Sequence, residues 1–294
     1  MNVAPTAAHA ANRRPAASAI DGLVRSITIP PRPSLLVDLQ REIGATDPDF
    51  HRIARIVGAD VALSAAVLRS VNSPFYALTR RAETLEQAVS LVGLRQVGTL
   101  VTGLVLRQVL RADGPDLHDF WTRSDRRAFA MTQLAVGLRG VATDIAHSFG
   151  LFCDVGIPLL MPRFPDYAQT LQRATRATDR NFTDVEQAAH RTDHALIGAL
   201  MARTWSLSPT VCAAIRQHHD AAVMVHPETP EPVARLVAMG MLAELAIQRH
   251  AGQTDCGDCA EWSRAGISAS ATLRLGEDEV EGWVSRLSEG FDAT

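Results

Sequence analysis

The apolar residues of this chain recur at spacings of three and four from Ile20 onward, which is the period of helices with one buried face. The segment from Ser34 to Ile43 is typical, because its apolar residues share one face and Gly44 then ends the pattern. No stretch alternates apolar and polar residues over the length of a strand. The pattern therefore predicts an all-α fold without a sheet of any size.

Polar residues mark the predicted helix starts in the first hundred residues. Asp47-Pro48 fits the N-cap and first position of one helix, and Asp60 fits the N-cap of the next. Thr84 and Gln87 have the spacing of a capping box for a third helix. A longer apolar helix is predicted over 94–111. Its interior glycines each cost about 1 kcal/mol relative to alanine, which indicates close packing against a neighbouring helix.

The second half of the chain shows the same period. Thr183 and Glu186 have the spacing of a second capping box, which predicts one helix from there to about residue 204. Ser208-Pro209 predicts the start of a helix that ends in the run Gln217-His218-His219-Asp220. Further helices are predicted over 117–138, 142–148, 151–161, 167–178 and 232–250.

The predicted helices fall into two units that are separated at Gly114-Pro115, a turn-forming pair. Residues 1–19 are rich in alanine and proline and have no apolar face, so they are predicted to be a disordered tail. The first helical unit covers residues 20–113, and the second covers 114–250. Residues 251–294 form a C-terminal extension with one predicted helix at 277–287.

Composition excludes several chemistries. All 29 basic residues are arginine, so the chain has no lysine for a Schiff base, a lysine general base or a Walker-type phosphate loop. The net charge of −3 argues against a nucleic-acid binder. No apolar run is long enough to span a membrane, and the N-terminus lacks the apolar core of a signal peptide. The chain is therefore predicted to be cytoplasmic, with no membrane contact.

The four cysteines do not form a disulfide framework in a chain of this length. Cys153 and Cys212 lie in apolar surroundings and are predicted to be core residues. Cys256 and Cys259 form a CxxC, but no second pair of ligands follows at a matching spacing. This motif is therefore a weak signal for metal or redox chemistry.

Four segments together resemble the HDOD domain, a bacterial signalling module related to the HD-domain phosphohydrolases. They are IPPRPSLLVDLQREI (29–43), GADVALSAAVLRSVNSPFYAL (58–78), LEQAVSLVGLRQVGTLVTGLVLRQVL (85–110) and DHALIGALMARTWSLSPTVCAAIRQHH (193–219). The resemblance implies two packed helical subdomains, of which the second is an HD-like helical bundle. This division agrees with the boundary at Gly114-Pro115.

The active relatives bind metal through a first His, a His-Asp pair, later histidines and a late Asp. The resemblance places the first His at or beside Arg123 and the His-Asp pair on Cys153-Asp154. His194 and the pair His218-His219 match the later histidines, and Glu244 is the nearest carboxylate to the late Asp. Two ligand positions are thus lost, one of them to a guanidinium that has no lone pair for a metal. Gly156, which follows the His-Asp position, is retained.

This degenerate pattern predicts a site without metal or another cofactor. Adjacent helical residues lie about 100° apart, so only one of His218 and His219 is expected to face a common site. Asp154 is expected to pair with Arg123 across the bundle, which would replace the charge of a metal by an internal cation. His194 is expected to be a hydrogen-bonded interior residue. Cys153 is not expected to be a nucleophile, because the neighbouring carboxylate raises the pKa of its thiol.

Five arginines are candidates for contacts with the phosphates of a nucleotide or with an acidic partner surface. They are Arg80, Arg81, Arg123, Arg126 and Arg127. The alternative interpretation is a solvated helix face whose arginines have local acidic partners such as Glu83 and Asp125.

The sequence favours a non-catalytic regulatory module that acts through contacts with a signalling protein. Two alternatives stay open. One is a residual metal-dependent phosphohydrolase acting on a nucleotide. The other is a sensor that binds a nucleotide second messenger in the former active-site cleft, with Arg123 holding a phosphate. No receiver, kinase or cyclase segment is recognised in the chain, so the input is expected to come from a separate partner or a small ligand.

Overall fold

The computed structural model describes residues 27–76, 78–110, 117–252 and 259–292. Within these ranges the chain is helical and has no strand, so the predicted all-α fold is confirmed. The predicted tail at 1–19, the Gly114-Pro115 pair and Cys256 lie outside the described residues. The helices are α1 (Ser34–Ile43), α2 (Phe50–Gly58), α3 (Val61–Val71), α4 (Leu85–Val92), α5 (Leu94–Leu110), α6 (His118–Leu138), α7 (Thr143–Phe152), α8 (Gly156–Leu160), α9 (Tyr167–Arg176), α10 (Phe182–His190), α11 (His194–Thr204), α12 (Pro209–Gln217), α13 (Glu231–His250), α14 (Ala260–Leu273) and α15 (Glu277–Phe291), with 3₁₀ turns at Pro74–Tyr76 and Ala221–Met224.

Three of the five predicted helix starts are confirmed. Asp60, Thr84 and Ser208 each accept a hydrogen bond from the backbone N–H three residues further on. The predicted start at Asp47-Pro48 is wrong by two residues. The Asp49 carboxylate is the N-cap of α2, because it accepts hydrogen bonds from two backbone N–H groups of the first turn.

The helix predicted to begin at Thr183 and run to residue 204 is in fact two helices, α10 and α11. The chain turns between them at Arg191, whose backbone is left-handed with a φ of 58°. The capping box of α10 is formed by Asn181 and Asp184, and the Asp184 carboxylate accepts the Asn181 N–H at 3.2 Å. Glu186 is not a capping residue and lies fully buried instead.

The first subdomain packs α1 to α5 around one apolar core and joins the second subdomain through α5. The predicted close packing at the glycines of α5 is confirmed. A Cβ on Gly98 would lie 2.4 Å from Cδ1 of Ile43 on α1, and a Cβ on Gly103 would lie 2.7 Å from Cδ2 of Leu151 on α7. Gly103 therefore lets the two subdomains approach each other.

Gly93 separates α4 from α5. Its φ of 90° is one that residues with a Cβ rarely adopt, and the two helices bend by 119° at this point. Taken together they are long and apolar enough for a broken span. No single helix in the described part of the chain has the length and apolar character needed to cross a bilayer.

The second subdomain and the C-terminal extension are built around α13. This helix packs against α6, α12, α14 and α15, while α6 lies along α7, and α8 lies on α11. The sequence did not predict α14, whose apolar positions are mostly small residues that give a weak helical period. The predicted last helix is present as α15 and continues to Phe291.

His147 on α7 makes stability depend on pH. Burial lowers the pKa of its imidazole to about 4, and its Nδ1 lies 3.2 Å from the Thr132 hydroxyl. In the unfolded chain a histidine takes up a proton near pH 6.5. Between these two values the unfolded state binds more protons. The folded state is therefore expected to lose about 2–3 kcal/mol as the pH falls from about 6.5 to about 4.

Urea unfolding of the wild type and of His147→Gln measures this contribution. Because glutamine does not titrate, the variant is expected to lose less stability than the wild type between about pH 7 and about pH 5. Equal losses in the two proteins would show that His147 is not the group responsible.

Candidate functional site

The seven positions that the resemblance assigned to the HD-type site all lie on the wall of one cavity of about 240 Å³, which several helices surround. The side chains that carry its chemistry are Arg123 and Arg127 of α6, Cys153 and Asp154 between α7 and α8, His194 at the start of α11, His218 and His219 after α12, Glu244 of α13 and Glu261 of α14. The cavity therefore combines residues of the second subdomain with Ala260, Glu261 and Arg264 of the C-terminal extension.

Asp154 lies at the centre of this set. Its Oδ2 is 2.7 Å from the Arg127 guanidinium, and its Oδ1 is 3.4 Å from Nε2 of His218 and 3.6 Å from Nε2 of His194. Burial alone would raise the pKa of this carboxyl. The charge of Arg127 and the hydrogen bond from His218 outweigh burial and hold the pKa of Asp154 well below its ordinary value. Asp154 is therefore an anion.

Arg127 bridges two carboxylates inside the cavity. Besides Asp154, its guanidinium lies 3.0 Å from Oε2 of Glu244, and its side chain is only 6% exposed. The predicted pair between Asp154 and Arg123 is wrong. Arg123 contacts Oε1 of Glu244 instead, and its side chain is 43% exposed. The two arginines lie one turn apart on α6, and only the later turn is buried deeply enough to reach Asp154.

Three imidazoles converge beside Asp154. The Nε2 atom of His194 is 3.2 Å from Nε2 of His218 and 3.1 Å from Nε2 of His219. One ligand atom from each of the three histidines and from Asp154 lies within 4.8 Å of all the others. This spacing is the one expected of side chains that share a single bound ion.

The expectation that only one of His218 and His219 faces the site is wrong. It assumed that both residues continue the helix, but α12 ends at Gln217. The two rings therefore project from a turn rather than from successive helical positions. The centres of the two rings lie 4.0 Å apart, and the Nε2 atoms of both rings reach Nε2 of His194.

Each of the three rings is oriented through its other nitrogen. The Nδ1 atoms of His194, His218 and His219 contact the carboxylate of Glu186 at 2.7 Å, the carbonyl of Ile215 at 2.7 Å and the carboxylate of Glu261, respectively. Carbonyl and carboxylate oxygens accept hydrogen bonds, so each Nδ1 carries the proton. All three Nε2 atoms face the same point, which is the arrangement in which metal-binding histidines are held. The Nε2–H of His218 donates to Asp154 there, so an ion that binds the three rings must displace that proton.

Glu186 and Tyr167 support His194 from within the core. The Tyr167 hydroxyl donates to Oε1 of Glu186, and the backbone N–H of His194 donates to Oε2 at 3.3 Å. Burial and the charge of Glu186 raise the pKa of Tyr167 far above its ordinary value, so the hydroxyl stays protonated. The sequence assigned Glu186 to a capping box and gave no role to Tyr167. The sequence signal for this contact is the position of Glu186, whose carboxylate lies eight residues before His194.

The other predicted arginines lie away from the cavity. Arg80 and Arg81 are exposed, and the Arg126 guanidinium lies 5.8 Å from the centre of the Phe291 ring. The interpretation of the arginines as a solvated face is wrong for Arg127, which is buried. Cys153 and Cys212 are both buried, as predicted.

A family model of the HDOD domain matches residues 29–221, which is more than half of the chain. The chain belongs to the HDOD domain family. The region matched begins before α1 and ends in the turn after His219. It therefore leaves out all of α13 and α14, although both helices contribute carboxylates to the site.

One curated relative is an uncharacterized protein of Treponema pallidum (strain Nichols), which is 28% identical over 233 residues. The match covers 77% of this chain and 43% of that protein, so the chain spans less than half of its relative's length.

Solved structures share the fold of this HDOD chain. A candidate phosphohydrolase from Shewanella amazonensis SB2B is 25% identical, with a TM-score of 0.69 over 92% of this chain and 94% of that one. An HDOD domain protein of unknown function from Geobacter sulfurreducens is 17% identical, with a TM-score of 0.67 over 94% and 98%. A candidate signal transduction protein from Marinobacter aquaeolei VT8 is 21% identical, with a TM-score of 0.70 over 95% and 64%. The predicted family and the all-α, HD-like fold are thus confirmed.

Proposed function

We propose that this HDOD protein is a regulatory module that acts through contacts with a signalling protein and does not hydrolyse phosphoesters by a two-metal mechanism. The observation that carries the proposal is the position of Arg127. Its buried guanidinium bridges two carboxylates. Asp154 matches a metal-ligand position of the HD-type relatives, and Glu244 is the carboxylate nearest to the position of their late Asp.

A two-metal hydrolase uses its ions to stabilise both the attacking and the leaving oxygen. An ion bound on the Arg127 side of Asp154 would need carboxylates and imidazoles as its ligands. The matching positions hold a guanidinium and the buried thiol of Cys153, and both carboxylates already neutralise a permanent cation. A metal ion placed there would be repelled by Arg127 and would lack the two lost histidines.

Hydrolysis of p-nitrophenyl phosphate and bis(p-nitrophenyl) phosphate tests this proposal. With Mg²⁺, Mn²⁺, Fe²⁺ or Zn²⁺ added separately, we expect no turnover above the protein-free rate. Metal-dependent turnover that is lost in Asp154→Asn and kept in Asp179→Asn would overturn the proposal. Asp179 is the matched control because it is exposed and pairs only with its neighbour Arg180 in the described contacts.

A second function is favoured by the histidine side of Asp154. We propose that His194, His218, His219 and Asp154 hold one divalent transition-metal ion. Zn–N bonds of about 2.0–2.1 Å in a tetrahedral site place the nitrogens roughly 3.3 Å apart, close to the 3.1 and 3.2 Å separations of the Nε2 atoms. Three neutral imidazoles and one carboxylate suit Zn²⁺, Fe²⁺ or Ni²⁺ better than Mg²⁺.

The proposed metal site departs from the expectation of no metal. That expectation rested on two lost ligand positions and on the assumption that only one of His218 and His219 faces the site, whereas both Nε2 atoms face His194. A bound ion would supply Lewis acidity toward an anionic group in the cavity. The three imidazoles are oriented by the carboxylates of Glu186 and Glu261 and by the carbonyl of Ile215, which accept from the Nδ1 atoms.

Elemental analysis of untagged protein, purified without chelator and reloaded with Zn²⁺, tests the metal site. We expect close to one equivalent per chain, with most of it lost in His219→Ala. His226→Ala is the control, because His226 is exposed and lies away from the cavity. A wild-type protein that retains no Zn²⁺, Fe²⁺ or Ni²⁺ after dialysis would contradict the assignment.

A further inference from the structure

The side chains that organise the cavity extend past the segment that defines the family. The family match ends at residue 221, yet Glu261 on α14 lies on the cavity wall and contacts Nδ1 of His219. Glu261 is 28% exposed and His219 is 11% exposed, so the contact lies at the rim of the cavity rather than in the deep core.

His219 is the site histidine whose Nδ1 acceptor lies beyond the segment that defines the family. His194 is fully buried and is held by both its ring and its backbone through Glu186, and His218 is held by the carbonyl of its own helix end. His219 follows the end of α12, and apart from the other site histidines its ring has two neighbours that fix its orientation. One is Glu261, and the other is the stacked ring of Phe182, whose centre is 4.9 Å away at an interplanar angle of 10°.

Side chains of α14 contact two other segments, one just before α10 and one after His219. The Arg264 guanidinium donates to the carbonyl of Arg180 just before α10, and the Thr272 hydroxyl lies 3.3 Å from the carbonyl of Met224 in the 3₁₀ turn after His219. Helix α14 also packs along α13. Glu261 is therefore placed by the docking of a whole helix, and its position reports whether that helix is docked.

We propose that Glu261 is a positioning residue through which the docking of α14 controls metal binding at the histidine cluster. The inference rests on the proposed metal site. When α14 is docked, Glu261 accepts the Nδ1 proton of His219 and directs Nε2 toward His194. When α14 moves away, His219 loses this acceptor and can turn from the site. Linkage makes the effect reciprocal, so a bound ion also favours the docked helix.

Zn²⁺ affinity measured by competition with a colorimetric chelator tests the first half of the proposal. Loss of a hydrogen-bonding partner behind a metal-bound histidine typically weakens binding about 10–100-fold, and we expect this loss in Glu261→Ala. Glu261→Gln keeps an acceptor without the charge and should lie between Ala and the wild type. Glu289→Ala, an exposed glutamate on α15, should match the wild type.

Amide hydrogen exchange of residues 260–273 tests the reciprocal half. Adding Zn²⁺ should slow exchange in α14 of the wild type and of Glu289→Ala but not of Glu261→Ala. A wild type that binds no Zn²⁺ would remove both the metal site and this inference. If the wild type binds Zn²⁺ and Glu261→Ala has the same affinity and the same Zn²⁺-dependent protection, the metal site stands and the role of Glu261 is overturned.

Discussion

Arg127→Ala is expected to lower the free energy of unfolding by about 3–5 kcal/mol, the usual cost of removing one partner from a buried ion pair. The substitution leaves Asp154 and Glu244 facing each other with side chains that are only 14% and 16% exposed. Two partly buried anions then repel each other at the point where a cation held them together. Arg127→Met should cause a similar loss, because it restores the volume of the side chain but not its charge.

The matched control is Arg123→Ala, which removes a contact to the same Glu244 from the more exposed arginine. Exposed ion pairs contribute about 1 kcal/mol or less, so this loss should be much smaller. Urea unfolding followed by circular dichroism, with chelator present, measures both variants. If Arg123→Ala costs more than Arg127→Ala, the cation that neutralises Asp154 in solution is Arg123, and the position of Arg127 cannot carry the proposed function.

The sequence alone does not determine which of the two arginines, Arg123 or Arg127, pairs with Asp154. Arg123 and Arg127 lie four residues apart, so they project from the same face of α6, and either could reach an acid across the bundle. Which arginine reaches Asp154 depends on how deeply α6 is buried between α7 and α13. It also depends on which turn of α6 lies opposite Asp154 at the end of α7. Both depend on tertiary packing, so the sequence placed the arginine that pairs with Asp154 one helical turn too early.

Local signals predicted the fold more completely than the site. Caps such as Asp60 and Ser208 act within four residues of the backbone that they satisfy, so their spacing is visible in the sequence. The wrong assignment of Glu186 to a capping box also came from local spacing. Its spacing from Thr183 fits a capping box, but Asn181 and Asp184 satisfy that helix start, and Glu186 is recruited by Tyr167 and His194 from other parts of the chain.

Two other features of the site depend on where helices stop and dock. His218 and His219 both face His194 because α12 ends one residue earlier than the first of them, and no strong stop signal precedes that point. Glu261 reaches the site because α14 folds back along α13. The segment that forms α14 has few large apolar residues, so the sequence predicted neither α14 nor the contact between Glu261 and His219.

Gly156→Ala is expected to destabilise the protein by at least about 3 kcal/mol, although alanine favours a helix by about 1 kcal/mol over glycine. Gly156 begins α8, where α8 crosses the start of α11. A Cβ built on it would lie 2.0 Å from the carbonyl oxygen of His194 and 2.7 Å from its carbonyl carbon. These atoms belong to the backbone, so no side chain can rotate away, and the two helices must separate. The same separation would move His194 and should weaken Zn²⁺ binding.

Gly58→Ala is the matched control, because the added Cβ would meet only Cδ1 of Leu85 at 3.7 Å, an ordinary contact. That variant should be as stable as the wild type or slightly more stable, by up to about 1 kcal/mol. Thermal and urea unfolding distinguish the two cases. A Gly156→Ala protein with wild-type stability would mean that α8 and α11 do not touch in solution. The site would then lack the close crossing that fixes His194 beside Asp154, because Gly156 lies only two residues after that carboxylate.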